Sequence, residues 1–273
     1  MSSPQRRKRR KINIPLVKAT VMFVAGGIIA LGTGLTGIAG QIAATPTIEY
    51  LLGFAPAKSA ATALAFALCA ACAAIVGAAS AGVPIDLGIA LILALTGAIG
   101  VAAAAGPSRS DRLTVARRAA HTAVMLLMIV VLRQALSQRI GGMETLPYPA
   151  LRTWWAIGAT GILAGVLSSL LQISNGVLLV PALVFAVDRP IAEAVLIALM
   201  VSALASILPV VTSASQGLVT RGTSAWMMLG GLAGGLAGGW LLGKICAAGG
   251  TMPLVLFGLV AMFFSAWTLW RMT

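Results

Sequence analysis

The chain has 273 residues, 59% of them hydrophobic and only 9% charged. Such a composition cannot cover a water-facing surface, which excludes a soluble globular domain and places the chain in a bilayer. The formal charge of +13 invites a nucleic-acid reading, yet six of the nineteen Lys and Arg residues form one run, Arg6-Arg7-Lys8-Arg9-Arg10-Lys11, directly before the first apolar stretch; without aromatic partners that run is a topological anchor, not a base-binding patch.

In chain order, residues 1–14 form a basic tail expected in the cytoplasm, and Pro15 to about Ile38 reads as the first span, loosened at its end by Gly32, Gly34 and Gly37. A short apolar piece, Gln41–Gly53, follows and holds Pro46. Longer runs cover about Ala57–Ala79, Pro84–Ala105 and Val115–Leu136, so that residues 15–136 make a first transmembrane unit. The polar stretch 137–153, with Pro147 and Pro149, reads as a linker.

Residues 154–273 then repeat the order: a span near Trp154–Leu171, a break at Gln172-Ile173-Ser174-Asn175-Gly176, a short piece Val177–Val187 holding Pro181, and runs at about Pro190–Ala214, Thr223–Ala247 and Met252–Trp270. The repetition is visible residue by residue. At a constant offset of 135, Gly26 falls on Gly161, Pro46 on Pro181, Ala63 on Ala198 and Gly82 on Gly217. The expected fold is therefore an all-α polytopic membrane protein of two related halves, with about eight full spans plus two short broken or re-entrant segments. If the short pieces cross, each half makes an odd number of passes and the copies are inverted. Loop charge slightly favours that count, with Lys58, Arg112 and Arg221 inside and Arg189 and Lys244 outside; re-entrant hairpins reverse it.

A helix that stops inside a membrane exposes unpaired N–H and C=O groups, which are tolerated only inside protein or beside a watery cavity. Where such a helix begins, its N–H groups and positive dipole end can hold an anion without any charged side chain. The candidate binding residues are accordingly Thr33, Gly34, Thr36, Gly37, Gly40 and Gln41 in the first half and Ser168, Ser169, Gln172, Ser174, Asn175 and Gly176 in the second. Pro46 and Pro181 are expected to help fix where the helices break. The competing reading is that these small polar residues merely let helices approach.

The same residues carry a resemblance. The run Gly32-Thr33-Gly34-Leu35-Thr36-Gly37-Ile38-Ala39-Gly40, then Thr45-Pro46-Thr47, Gly53-Phe54 and Ala61-Thr62-Ala63, echoed by Gly161 to Gly165, Asn175-Gly176 and Pro181, resembles the TauE/SafE sulfite exporter family, over nearly the whole chain. The residue after the threonine is Ala63, where that family commonly has serine. The resemblance implies a transporter of small anions, often sulfur-containing or organic, coupled to the proton gradient, and it adds Thr62 to the binding residues.

Ionisable residues at membrane depth are functional candidates by default. Glu49 lies three residues after Pro46 and is either a proton-carrying carboxylate or an interfacial one; Glu193 sits in a first helical turn, where the dipole suits it. His121 follows Arg117 and Arg118 and is expected near headgroups, and Asp86 and Asp188 are expected in loops or caps. Cys69 and Cys72 share one helix face and read as small buried residues. One histidine and scattered cysteines make no metal site, the glycine runs lack the Gly-Lys-Ser/Thr ending of a phosphate loop, and no Ser/His/Asp group is spaced for catalysis. The expected partners are a small anionic solute, membrane lipids and protons, with no cofactor, metal or nucleic acid.

Overall fold

The computed structural model describes residues 15–38, 40–104, 119, 121–129, 133, 151–171, 174–187, 189–220, 222–249 and 252–272. The first half contributes α1 (Pro15–Thr36), α2 (Gln41–Leu52), α3 (Pro56–Ser80) and α4 (Leu87–Ala104). The second contributes α5 (Leu151–Leu171), α6 (Asn175–Ala186), α7 (Ile191–Ser215), α8 (Thr223–Ala247) and α9 (Met252–Met272). Residues 121–129 are also helical. Helix α5 starts inside the stretch 137–153 expected to be a linker, while the rest of that stretch, the basic tail and most of the run 115–136 lie outside the described residues.

The order of elements is the same in both halves, and two boundaries coincide at the 135-residue offset: α3 and α7 are each 25 residues long, 56–80 and 191–215. Both end on a left-handed glycine at matching positions, Gly82 with φ +86° and Gly217 with φ +67°. Among the described residues, four helices are long and apolar enough to cross a bilayer, Val17–Thr36, Pro56–Ser80, Ile191–Ser215 and Ser224–Ala247, and shorter apolar helices accompany them. Large apolar side chains such as Val17, Leu95, Leu208 and Trp270 are turned outward, as lipid requires and water would not allow. The chain is a polytopic helical membrane protein.

Lipid tails give helices no hydrophobic reason to associate, so contact depends on close backbone approach. The abundant glycines supply it, and they do so between halves. Along α1 and α8, a β carbon on Gly26 or Gly230 would collide with the Met227 or Phe23 carbonyl, and one on Gly34 would lie 2.7 Å from the Gly239 nitrogen. On the other side, Gly165 of α5 meets Gly97 of α4, and Gly100 of α4 meets the Ile162 carbonyl. Helix α8 also lies against α3, where Gly235 and Gly239 abut the Ala70 and Ala74 carbonyls. Each half therefore lends its fourth helix to the other half's first. A small core of Met22, Ala30, Ile48, Phe66 and Met227 ties α1, α2, α3 and α8 together; a larger one runs through α4, α5, α6 and α7 and takes in Leu35 of α1, Ala74 and Ala78 of α3, Leu242 of α8 and Leu254 and Phe257 of α9.

Candidate functional site

Both interruptions expected from the sequence are present. Helix α1 stops at Thr36, where Gly37 takes φ +73° and donates its N–H to the Thr33 carbonyl at 2.8 Å. That left-handed turn ends a helix and is disfavoured for any residue bearing a β carbon. The chain restarts at Gln41. In the second half α5 stops at Leu171 and α6 starts at Asn175. The prolines do not make these breaks: Pro46 and Pro181 lie inside α2 and α6. Thr45 and Thr47, flanking Pro46, donate their hydroxyls to the carbonyls of Gln41 and Ala43 at 2.9 and 2.8 Å. A short helix packed within protein accommodates proline without stopping.

The two breaks meet. A β carbon on Gly176, in the first turn of α6, would collide with the Gly37 carbonyl, and one on Gly37 would touch Val180 of α6 and Val195 of α7 at 3.3–3.4 Å. Neither short helix is capped by a side chain: Gly40 has none to offer, and the Ser174 side chain makes no capping bond. The Val177 N–H of α6 bonds to the Ser174 carbonyl at 3.0 Å, and the N–H groups ahead of it in α6 and at the start of α2 have no side-chain cap among the described residues. Asn175 adds a buried Oδ1 that has no hydrogen-bond partner among the described residues.

Beside the first break is a cavity of about 380 Å³ lined by Gly32, Thr33, Thr36, Gly40 and Ala43 together with Leu259, Phe263 and Phe264 of α9. The buried Thr33 and Thr36 hydroxyls donate back to the Ile29 and Gly32 carbonyls at 3.0 and 2.7 Å. Their protons are spent inside α1, so a bound anion would draw its hydrogen bonds from the main chain at the start of α2.

Of the remaining candidates, Gly34 faces α8 and serves packing, and Gln41 is half-buried at the start of α2. Ser168 donates to the Gly165 carbonyl at 3.0 Å. The Ser169 side chain, Gln172 and Asp188 lie outside the described residues. Thr62 belongs elsewhere: buried in α3, its hydroxyl lies 3.1 Å from that of Thr220, which bonds in turn to Ser224 at 3.3 Å. Glu49 is half-buried near the far end of α2. Cys72 is exposed and Cys69 half-buried, so they are not the buried pair expected, and the His121 side chain is buried within the protein. Sequence reasoning missed Val180, Val195 and the α9 wall, since contacts between distant apolar residues leave no local pattern.

It also underestimated Arg189. Its guanidinium bonds to Glu193 at 2.9 Å and lies 3.7 Å from Asp86, all three being largely buried. Asp86 is a cap, as expected, accepting the Ile89 N–H at 3.0 Å, and Glu193 is in the first turn of α7.

The family model for the sulfite exporter TauE/SafE matches residues 85–269, well over half of the chain. The chain belongs to the TauE/SafE family. It is also 28% identical, over 257 residues, to a "Probable membrane transporter protein" of Xylella fastidiosa (strain 9a5c), an alignment covering 92% of this chain and 95% of that one. No solved structure matches. The family is one of membrane transporters, which sets the broken helices in a transport context and makes the chain a multi-pass permease-type protein.

Proposed function

We propose that this TauE/SafE member is a secondary transporter of small anions, sulfur-containing or organic ones of the sulfite, sulfonate and carboxylate class, working by alternating access around the paired breaks. The observation that carries the reading is the contact of Gly176 with Gly37, which brings the uncapped start of α6 against the break that precedes the uncapped start of α2. A helix N-terminus favours negative charge, that of α2 borders the cavity through Gly40 and Ala43, and the absence of any basic side chain among the cavity's lining residues suits an anion that must also leave. The protein would reside in the inner membrane with its basic tail in the cytoplasm, and Glu49 would carry the coupling proton.

The decisive measurement is heat denaturation of the detergent-solubilised protein with sulfite, an alkylsulfonate, a short carboxylate, a neutral solute or a cation. Selective binding at a hundredfold excess over Kd raises stability by about 2.7 kcal/mol. Stabilisation by the anions alone supports the reading; stabilisation only by the cation or the neutral solute overturns it. A Gly40→Leu variant, whose β carbon would lie 2.7 Å from the Thr33 hydroxyl and 3.2 Å from the Phe66 ring, should insert normally and lose flux in liposomes. Normal flux would remove the first break from the pathway. Should the wild type move no solute yet co-purify with a stable partner complex, an assembly role replaces transport.

A further inference from the structure

We infer that the bodies which move against one another during transport are not the two halves of the sequence but two exchanged sets, α1, α2, α3 and α8 in one and α4, α5, α6 and α7 in the other. The inference rests on the transport reading above and names its moving parts.

Three independent observations draw the boundary. Repeated close backbone packing, which resists sliding because no side chain can give way, joins α1 and α3 to α8 and joins α4 to α5, every pair crossing the halves, whereas among the described glycines only Gly176, against the Gly37 carbonyl, makes so close a contact across the seam. The smaller core, Met22, Ala30, Ala44, Ile48, Ala63, Phe66, Ala70 and Met227, is confined to α1, α2, α3 and α8, while the larger core lies mostly in α4, α6 and α7 and reaches across the seam to Leu35, Ala71, Ala74, Ala78 and Leu242. Finally, each exchanged helix is fastened to its adoptive set at its first turn by a polar clasp. Asp86, at the start of α4, faces Arg189 and Glu193 at the start of α7; Thr220 and Ser224, at the start of α8, bond to Thr62 of α3.

The chain passes between the sets along the α3–α4 connection and again along the α7–α8 connection, at corresponding points. Each crossing begins with a left-handed glycine, Gly82 or Gly217, and a β carbon at either would meet nothing within 4 Å. Glycine is needed there for its backbone, not for space, as suits a connection that must change direction. The clasp follows within a few residues, so motion is confined to the glycine turn. The sets face each other through α3 and α7, with the Gly37–Gly176 contact in the seam. The meeting point of the two breaks thus lies between bodies that can separate, next to a cavity whose walls belong to α1, the start of α2 and α9.

Spin labels on outward-facing residues away from the cavity test the boundary in lipid nanodiscs: Val24 (α1), Leu95 (α4), Leu163 (α5) and Leu229 (α8). Each would be replaced by cysteine in a background lacking Cys69, Cys72 and Cys246 that retains flux. Distances are compared with and without sulfite and across an imposed pH gradient. The pairs Val24/Leu229 and Leu95/Leu163 join different halves within one set and should keep their distances. The pairs Val24/Leu95 and Leu163/Leu229 stay within one half but join different sets, and should shift by several ångströms. The reverse pattern, or no shift in any pair during active flux, overturns the inference. A Thr62→Cys, Thr220→Cys disulfide should leave most of the flux intact; loss of flux that returns on reduction overturns it as well. If the cysteine-free and wild-type proteins both move no anion, it is the transport reading that fails.

Discussion

The two clasps occupy corresponding ends of the exchanged sets and do the same job with different chemistry. At the start of α8 the contact is neutral, a chain of hydroxyls from Thr62 through Thr220 to Ser224. At the start of α4 it is ionic, with two carboxylates sharing one buried guanidinium. The 135-residue offset puts Lys58 opposite Glu193 and Ile197 opposite Thr62, so neither clasp is a copy of the other. Hydroxyls satisfy one another cheaply away from water, whereas an ion cluster holds only while its charges balance. The geometry was kept in both halves and the means of fastening was not.

The contrast should be visible in heat denaturation of solubilised variants. Arg189→Ala removes the single cation and leaves two buried carboxylates facing each other, a loss expected at about 3–5 kcal/mol. A fall no larger than that of a clasp hydroxyl would mean that water reaches the cluster and solvates it. Glu193→Gln keeps an oxygen for the guanidinium and leaves Asp86 and Arg189 balanced, so the cost should be only that of weakening a charge-assisted bond, about 1.5 kcal/mol. Thr62→Val should cost about 1 kcal/mol, the worth of a neutral hydrogen bond. Combining Thr62→Val with Glu193→Gln sharpens the comparison further: the clasps lie in different sets, so the effects should add, and strong non-additivity would indicate one connected body.

Much of the architecture was legible in the residues. Long apolar runs bounded by glycine and proline located the helices to within a few positions, Thr223–Ala247 among them, because in a bilayer the length of an apolar run and the need to satisfy its backbone leave little choice. The breaks were legible too, since Gly37 ends a helix through its own conformation. The prolines misled, because their local cost yields to packing inside a short helix. Thr62 was legible as a polar residue but not as a partner of Thr220, 158 positions away.

The sequence alone determined that this chain lives in a membrane, is helical, repeats itself and interrupts its helices at matching places, all properties written in composition and in neighbours along the chain. Only the tertiary structure decided which helices lie together: that Gly176 rests on Gly37, that α4 and α8 change places between halves, and that Arg189 gathers Asp86 and Glu193. Glycine permits a close approach without saying by what, and a charge announces a need without naming its partner. Those pairings arise from the shape of the packed whole.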